Sequence, residues 1–246
     1  MMAFNLASIT SGPRSQPPRI YLFGPHGVGK TTWACSAPDP IIIQTEDGLG
    51  MLETPAFPLA AATADVFSAL ETLYNEKHDF KTVVLDSADW LDNLIAQEIR
   101  ATHSEKDLAY GKDMLLIAEQ WRLILSWFNA LRAKGMTVIL IGHCEIKRYD
   151  PPDSDSWERF QPKLVNRASA LVQEWADAVL FCNFKAFVKS EAVTAQKSVK
   201  KAVASGERLI HTGEKPAYLA KNRYSLPETL PLVDWTAFAA ALPVPF

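Results

Sequence analysis

The sequence predicts an α/β fold with a mostly parallel sheet flanked by helices and short antiparallel strands near its C terminus. Short, continuously apolar runs alternate with longer segments whose apolar residues repeat at helical spacing, which is typical of strands covered on both faces by helices. A glycine-rich segment follows the first apolar run, and an aspartate ends a later one. Together these observations predict a parallel sheet with helices on its faces.

The glycine-rich segment reads GPHGVGKTT and contains the pattern G-x-x-x-x-G-K-T. The apolar run Ile20–Phe23 precedes it, and a helix is expected to begin near Lys30. In such a loop the backbone amides and the helix N terminus hold a polyphosphate, the lysine reaches its terminal phosphates, and the Thr31 hydroxyl ligates magnesium. A glycine turn before an ordinary helix is the alternative interpretation. The expected nucleotide-binding residues are Gly24, Pro25, His26, Gly27, Val28, Gly29, Lys30, Thr31 and Thr32.

Length and composition fit one domain. The chain has 246 residues, 48% of them hydrophobic, and we expect a single domain at residues 19–246 behind a flexible arm at residues 1–18. The net charge of −3 gives no support to a globally basic nucleic-acid binder, so any nucleic-acid site would be local. Three well-separated cysteines and the lack of a long apolar run favour a cytoplasmic protein without structural zinc or membrane contact.

The remaining elements follow from the same two patterns. The predicted strands are Ile41–Ile43, Thr82–Asp86, Thr137–Ile141 and Ala178–Phe181. The predicted helices are Thr63–Lys77 with Thr63 as its cap, Trp90–Ile99, Met114–Lys134 and Asn166–Trp175. Residues 103–113 and 145–167 show no regular period, so we expect two irregular loops there. Residues 185–223 indicate short strands and turns, with a lysine-rich tract at Lys197, Lys200 and Lys201.

Two acids and a histidine lie at the ends of predicted strands. Asp86 ends a buried strand, where nucleotide-binding folds place a carboxylate that holds magnesium together with the phosphate-loop hydroxyl; capping of the next helix is its alternative role. The residue beside it is Ser87 rather than glutamate, so the catalytic base must lie elsewhere. Glu46, after the preceding strand, is the candidate, with a solvated turn residue as the alternative. The lack of an N-K-x-D signature argues against a small GTPase.

This arrangement resembles the RecA-type ATPases, which carry a catalytic glutamate after the second strand and a magnesium aspartate in an apolar-Asp-Ser strand. His143 stands where RecA has a glutamine sensor, and Lys221-Asn222-Arg223-Tyr224 resembles the K-N-R-F motif of the RadA branch. The order of motifs over residues 20–232 is similar to that of phage-encoded RecA-core ATPases described as AAA-family NTP-binding proteins. Some of these are single-strand annealing recombination proteins. We expect the protein to lack the additional terminal domains of full RecA.

The resemblance implies a RecA-like P-loop NTPase core that binds and hydrolyses ATP with Mg²⁺. It implies catalytic roles for Lys30, for Glu46 as the base and for His143 as the phosphate sensor. Lys221 and Arg223 would complete the site of a neighbouring subunit, so a homo-oligomer with ATP at its interfaces is expected. A solvated sheet edge is the alternative for these two residues. The phage resemblance places the protein in the cytoplasm of a bacterial host.

The two predicted loops supply candidate contacts to single-stranded DNA, because RecA-like proteins place their DNA contacts on such loops. Aromatic rings stack on bases and cations follow phosphates. The candidates are Lys106, Tyr110, Lys112, Lys147, Arg148, Arg159 and Lys163. We therefore expect ATP-dependent annealing or pairing of single-stranded DNA, with a single-strand DNA-binding protein as a candidate partner. A helicase-loading or packaging-type motor and a small-molecule phosphotransferase are the alternatives.

Overall fold

A nine-stranded sheet forms the centre of the computed structural model. The structure describes residues 16–194 and 197–243, and it describes their side chains except at residues 186–204. The strands are β1 (Arg19–Gly24), β2 (Pro40–Gln44), β3 (Thr82–Asp86), β4 (Thr137–Tyr149), β5 (Trp157–Pro162), β6 (Ala178–Thr194), β7 (Lys197–His211), β8 (Lys221–Asn222) and β9 (Thr229–Pro231). The helices are α1 (Lys30–Cys35), α2 (Thr63–Asn75), α3 (Ala88–Thr102), α4 (Glu105–Leu108), α5 (Lys112–Ala133), α6 (Asn166–Trp175) and α7 (Trp235–Ala241).

The sheet is parallel on one side and antiparallel on the other. Strands β2, β3, β4, β1 and β6 lie in that order and run parallel, and β7 and β9 extend the sheet in antiparallel fashion. The predicted fold class is confirmed. The register sets Gly24 beside His143 and Gln44 beside Asp86. The polar residues that the sequence places near strand ends therefore meet at one edge of the sheet.

Both faces of the parallel strands are covered. Tyr21 and Phe23 of β1 face a core built with α2, α3, α5 and α6. Ile20 and Leu22 face the opposite core, which α1 and α7 cover. Successive strand residues point to opposite faces, so a strand that is covered twice has to be apolar at every position. This explains why the strands read as continuous apolar runs.

Two regions differ from expectation and form β-hairpins. Strand β4 continues through Tyr149 and pairs with β5 across a turn at residues 150–156, so the loop predicted at residues 145–167 is wrong. Strands β6 and β7 form a long antiparallel pair where short strands and turns were expected. In both cases each strand is stabilised by its partner in the ladder, and this pairing leaves little local hydrophobic periodicity to detect.

Three smaller observations concern the remaining expectations. Residues 103–113 contain α4 and a 3-10 turn at Ala109–Gly111 rather than an irregular loop. Helix α2 is capped at Ala62, where the Asp65 carboxylate accepts backbone hydrogen bonds, and Thr63 is not its cap. The end of the expected arm is attached to the domain, because the Pro17 carbonyl accepts a hydrogen bond from Arg132 Nε at 2.6 Å. The rest of that arm, residues 1–15, lies outside the described residues.

Candidate nucleotide site

The glycine-rich segment forms a loop between β1 and α1, as predicted. A Cβ atom at Gly24 would overlap the backbone oxygen of Cys182 on the neighbouring strand, so only glycine lets the loop begin there. Gly27 and Gly29 have φ angles of +70° and +102°, in the left-handed region that favours glycine. The loop conformation therefore depends on three glycine positions at which any other residue would clash or strain the backbone.

The side chain of Lys30 lies buried under this loop. Its Nζ donates to the carbonyl oxygens of Gly24 at 3.0 Å and Pro25 at 2.9 Å, and only 6% of the residue is exposed. Burial lowers the pKa of Lys30, because the charged form loses water. An ammonium held by carbonyl dipoles at the start of a helix is positioned to meet a polyphosphate.

The Thr31 hydroxyl and the Asp86 carboxylate, which are predicted to hold magnesium together, are in direct contact. Thr31 Oγ1 donates to Asp86 Oδ2 at 2.7 Å. Burial and the nearby Glu46 raise the pKa of Asp86, and the hydrogen bond from Thr31 lowers it in part. A buried carboxylate beside a hydroxyl supplies the oxygen ligands that Mg²⁺ takes, and a cation would offset the cost of its burial. The residues present therefore fit Mg²⁺, and Ser87 rather than Asp86 occupies the N-cap position of α3.

Glu46 is held beside this pair by the chain that follows β3. The backbone amides of Thr45 and Glu46 donate to the Asp86 carbonyl at 2.8 and 3.3 Å, which ties the end of β2 to β3. Ser87 Oγ donates to Glu46 Oε2 at 3.0 Å. The glutamate side chain remains 26% exposed, so its carboxylate is oriented by one hydroxyl and still open to solvent.

The sequence predicts His143 at the end of a strand. In the structure it lies inside β4, because β4 continues into the hairpin. Its backbone amide donates to Asp89 Oδ1 at 3.1 Å, and its ring Nδ1 lies 3.0 Å from Asp89 Oδ2. Burial alone would raise the pKa of Asp89, but the hydrogen bonds from His143 outweigh burial and lower it. The ionised carboxylate therefore fixes the ring with Nδ1–H donating. His26 of the phosphate loop stacks on the same ring, with 4.0 Å between centroids.

These side chains surround one cavity of about 430 Å³. The residues that line it are His26, Gly27, Gly29, Lys30, Thr31, Thr32, Glu46, Gly48, Leu49, Leu52, Asp86, His143 and Arg208. Gly24, Pro25 and Val28, which were also predicted to bind nucleotide, belong to the loop but are not among the residues that line the cavity. The cavity gathers an ammonium, a guanidinium, two carboxylates and two imidazoles at the carboxyl edge of the parallel strands. This is where open α/β sheets bind their ligands.

Sequence reasoning missed several members of the site. Arg208 reaches the loop through the long β6–β7 pair, which has no local sequence signal. Asp89 is an acid in the first turn of a helix, where acids are ordinary, so nothing marks it as the partner of His143. Leu49 and Leu52 follow Glu46 in a segment without a periodic pattern.

Lys221 and Arg223 lie at the opposite edge of the sheet. Lys221 pairs with Val179, near the start of β6, and its Nζ donates to carbonyl oxygens at the end of α6, including that of Ala176 at 2.9 Å. Arg223 Nη1 donates to Asp177 Oδ1 at 3.2 Å. The two side chains share a side of the sheet, as expected, but they are separated from the phosphate loop of their own chain by the length of a strand.

The DNA-binding candidates differ in how exposed they are and in whether they form ion pairs. Lys106, Tyr110 and Lys112 lie exposed on and beside α4, and Lys163 is exposed after β5. Lys147 and Arg148 pair with Glu145 and Asp150 on the β4–β5 hairpin. Arg159 corrects the prediction: its side chain is only 8% exposed, contacts Glu214 at 2.6 Å and lies over the Tyr149 ring. Arg159 therefore stabilises the hairpin instead of presenting its charge.

The parallel sheet, the glycine loop with Lys30 and Thr31, and Asp86 on an adjoining strand tip define a P-loop nucleoside triphosphatase. A family model described as an AAA domain matches residues 16–224. The chain belongs to this family and is an AAA-type P-loop ATPase. No curated protein matches it. Across the helices of the described residues, none has the length and apolar character needed to cross a membrane.

Proposed function

We propose that the protein is a Mg²⁺-dependent ATPase that acts on single-stranded DNA in phage-type recombination, by annealing or pairing. One observation carries the proposal: the strand that brings His143 to the nucleotide site continues directly into the β4–β5 hairpin. On the return path, the Lys163 amide donates to the His143 carbonyl at 2.9 Å. A DNA-binding surface on this hairpin would thus be connected directly, through β4, to His143 of the ATP site.

The roles in hydrolysis follow from the side chains around the cavity. Lys30 contacts the terminal phosphates, and Thr31 with Asp86 would hold Mg²⁺, which would offset the phosphate charge when bound. The Glu46 carboxylate, oriented by Ser87, accepts a proton from the attacking water. His143, fixed by Asp89, senses the terminal phosphate.

The hairpin has the residue types that bind single strands. Lys147, Tyr149 and Trp157 share one face, since Tyr149 pairs with Trp157 and alternate residues of a strand point the same way. The two rings pack edge to face at 5.2 Å between centroids. Arg148, between Lys147 and Tyr149, points to the opposite face and is 71% exposed. Bases stack on aromatic rings and phosphates follow cations, so the two faces of the hairpin together supply residue types that suit a single strand.

The oligomer is proposed from the position of Lys221 and Arg223. Neither can reach its own phosphate loop, so a contact with ATP would require a second copy of the chain. Arg223 is 49% exposed and shares Asp177 with Arg19 and Arg132. Because two arginines would continue to neutralise that carboxylate, Arg223 can leave it at low cost and enter a neighbouring site. An arginine supplied to a phosphoryl-transfer site raises turnover by about 1,000- to 100,000-fold.

ATP turnover measured without DNA, with an unstructured single-stranded oligonucleotide, and with its duplex tests the proposal. We expect stimulation by the single strand, and none of this activity in Lys30→Ala. Stimulation only by the duplex would favour a helicase-loading or packaging-type motor. Indifference to both, with a phosphorylated small-molecule product, would favour a phosphotransferase. An annealing assay with complementary strands, with and without a single-strand DNA-binding protein, then separates annealing from other DNA-dependent activities.

A mixing experiment tests the interface. Arg223→Ala and Lys30→Ala are each expected to be inactive, but a mixture contains interfaces that pair an intact phosphate loop with an intact Arg223. Partial activity should therefore return on mixing. Full activity of Arg223→Ala alone, or an active enzyme that sediments as a monomer, would refute the role in the neighbouring site.

A further inference from the structure

The guanidinium of Arg208 lies against the phosphate loop of its own chain. Its Nη1 donates to the Val28 carbonyl oxygen at 3.3 Å, and it would be 2.5 Å from a Cβ atom placed on Gly29. Arg208 also lines the cavity that holds Lys30 and Glu46. A second cation is thus present in the nucleotide site, contributed by a strand far from the loop in sequence.

The fold aims this side chain through an irregularity in the β6–β7 pair. The register shifts directly after the pair of Phe184 with Arg208, where β7 carries extra residues, and Gly206 within them has a φ angle of +78°. An ion pair between Lys185 of β6 and Glu207 of β7, at 2.6 Å, joins the two strands at this irregularity. Irregularities of this kind bend a strand and re-aim the side chains beside it.

The charge of Arg208 is not neutralised within the described part of the chain. Its hydrogen bond goes to a carbonyl oxygen, and no described carboxylate lies within 4 Å of its guanidinium. Lys30 in the same cavity also donates only to carbonyl oxygens. Two cations that face one cavity, each resting on loop carbonyls, favour an anionic ligand between them.

We propose that Arg208 contacts the terminal phosphates of the nucleotide bound by its own chain and stabilises the charge that develops on them during hydrolysis. The guanidinium exchanges its bond to Val28 for phosphate oxygens, which accept from its planar set of donors in a bidentate manner. It acts in the same chain, in contrast to Arg223, which is proposed to act across an interface. The inference rests on ATP hydrolysis at this phosphate loop.

The first test compares Arg208→Ala and Arg208→Lys with Arg122→Ala, an exposed arginine of α5 outside the site. Removal of a preorganised transition-state donor costs about 100- to 1,000-fold in kcat, so we expect at least that loss in Arg208→Ala and partial recovery in Arg208→Lys. Affinity for a non-hydrolysable ATP analogue should fall more than affinity for ADP. Arg122→Ala should match the wild type. Unchanged kcat in Arg208→Ala would overturn the proposal. Equal losses of affinity for the ATP analogue and for ADP, together with a lower melting temperature, would also overturn it, because they indicate that Arg208 only stabilises the loop.

The second test uses the mixing experiment with Arg208→Ala in place of Arg223→Ala. In a mixture with Lys30→Ala no subunit has both an intact phosphate loop and its own Arg208, so we expect no recovery. Recovery would place Arg208 in a neighbour's site and overturn the assignment. If Lys30→Ala itself hydrolyses ATP at the wild-type rate, the proposed site is wrong and this inference fails with it. Loss of activity in Lys30→Ala but not in Arg208→Ala refutes the role of Arg208 alone.

Discussion

Replacing Asp177 by asparagine should destabilise the fold substantially. The Asp177 carboxylate is 8% exposed and is shared by Arg19 at 2.8 Å, Arg132 at 2.9 Å and Arg223 at 3.2 Å. Burial alone would raise the pKa of Asp177, but the hydrogen bond and charge of Arg19, together with the charge of Arg132, lower it. Asparagine keeps the shape and removes the charge that holds the arginines together.

The size of the effect follows from exposure. Removing one partner of a buried ion pair costs about 3–5 kcal/mol, because the other charge is left without compensation. Arg19 and Arg132 are each 16% exposed, and Arg223 is 49% exposed, so water relieves part of the cost. We expect a loss of about 3 kcal/mol, which for a domain of this size lowers Tm by about 6–12 °C.

Urea unfolding followed by circular dichroism measures this loss. Asp150→Asn is the matched control, because Asp150 pairs with Arg148 at the surface, and we expect no measurable change there. Since the folded pKa of Asp177 lies below its unfolded value, its stabilisation is present above about pH 4 and is lost as pH falls through the folded pKa. The difference between wild type and Asp177→Asn should therefore shrink in acid. A loss below about 1 kcal/mol at neutral pH would refute the reasoning.

Three further predictions concern the nucleotide and DNA sites. Glu46→Gln should lower ATP turnover by about 100- to 10,000-fold with nucleotide affinity retained, and wild-type turnover would exclude a role as the base. Gly24→Ala should reduce nucleotide binding and Tm, because its methyl group would overlap a backbone oxygen of β6; Gly213→Ala, with open space around it, is the silent control, and similar behaviour of the two would contradict this. Lys147→Ala with Arg148→Ala should weaken single-stranded DNA binding and its salt dependence without changing basal nucleotide affinity, and unchanged DNA affinity would move the contact surface elsewhere.

Most of the parallel sheet could be predicted from sequence, because each of its strands is covered on both faces. Val83, Val84 and Leu85 of β3 are fully buried, and a strand in that position is apolar at every residue. The hairpins could not be predicted in this way. Ile146 is 60% exposed on β4 beyond the sheet core, and residues there are held by a partner strand rather than by burial.

The sequence by itself determined the phosphate loop and the strand-end acid that meets it, because the glycines, Lys30 and Thr31 are contiguous and Asp86 ends a strand with a clear apolar pattern. Only the tertiary structure decided that Asp89 orients His143, that Arg208 enters the same cavity, and that Lys221 and Arg223 lie at the far edge of the sheet. Those contacts depend on strand order and register, which join residues separated by large parts of the chain. Local periodicity reports which face of an element is buried, whereas the pairing of strands settles which side chains meet.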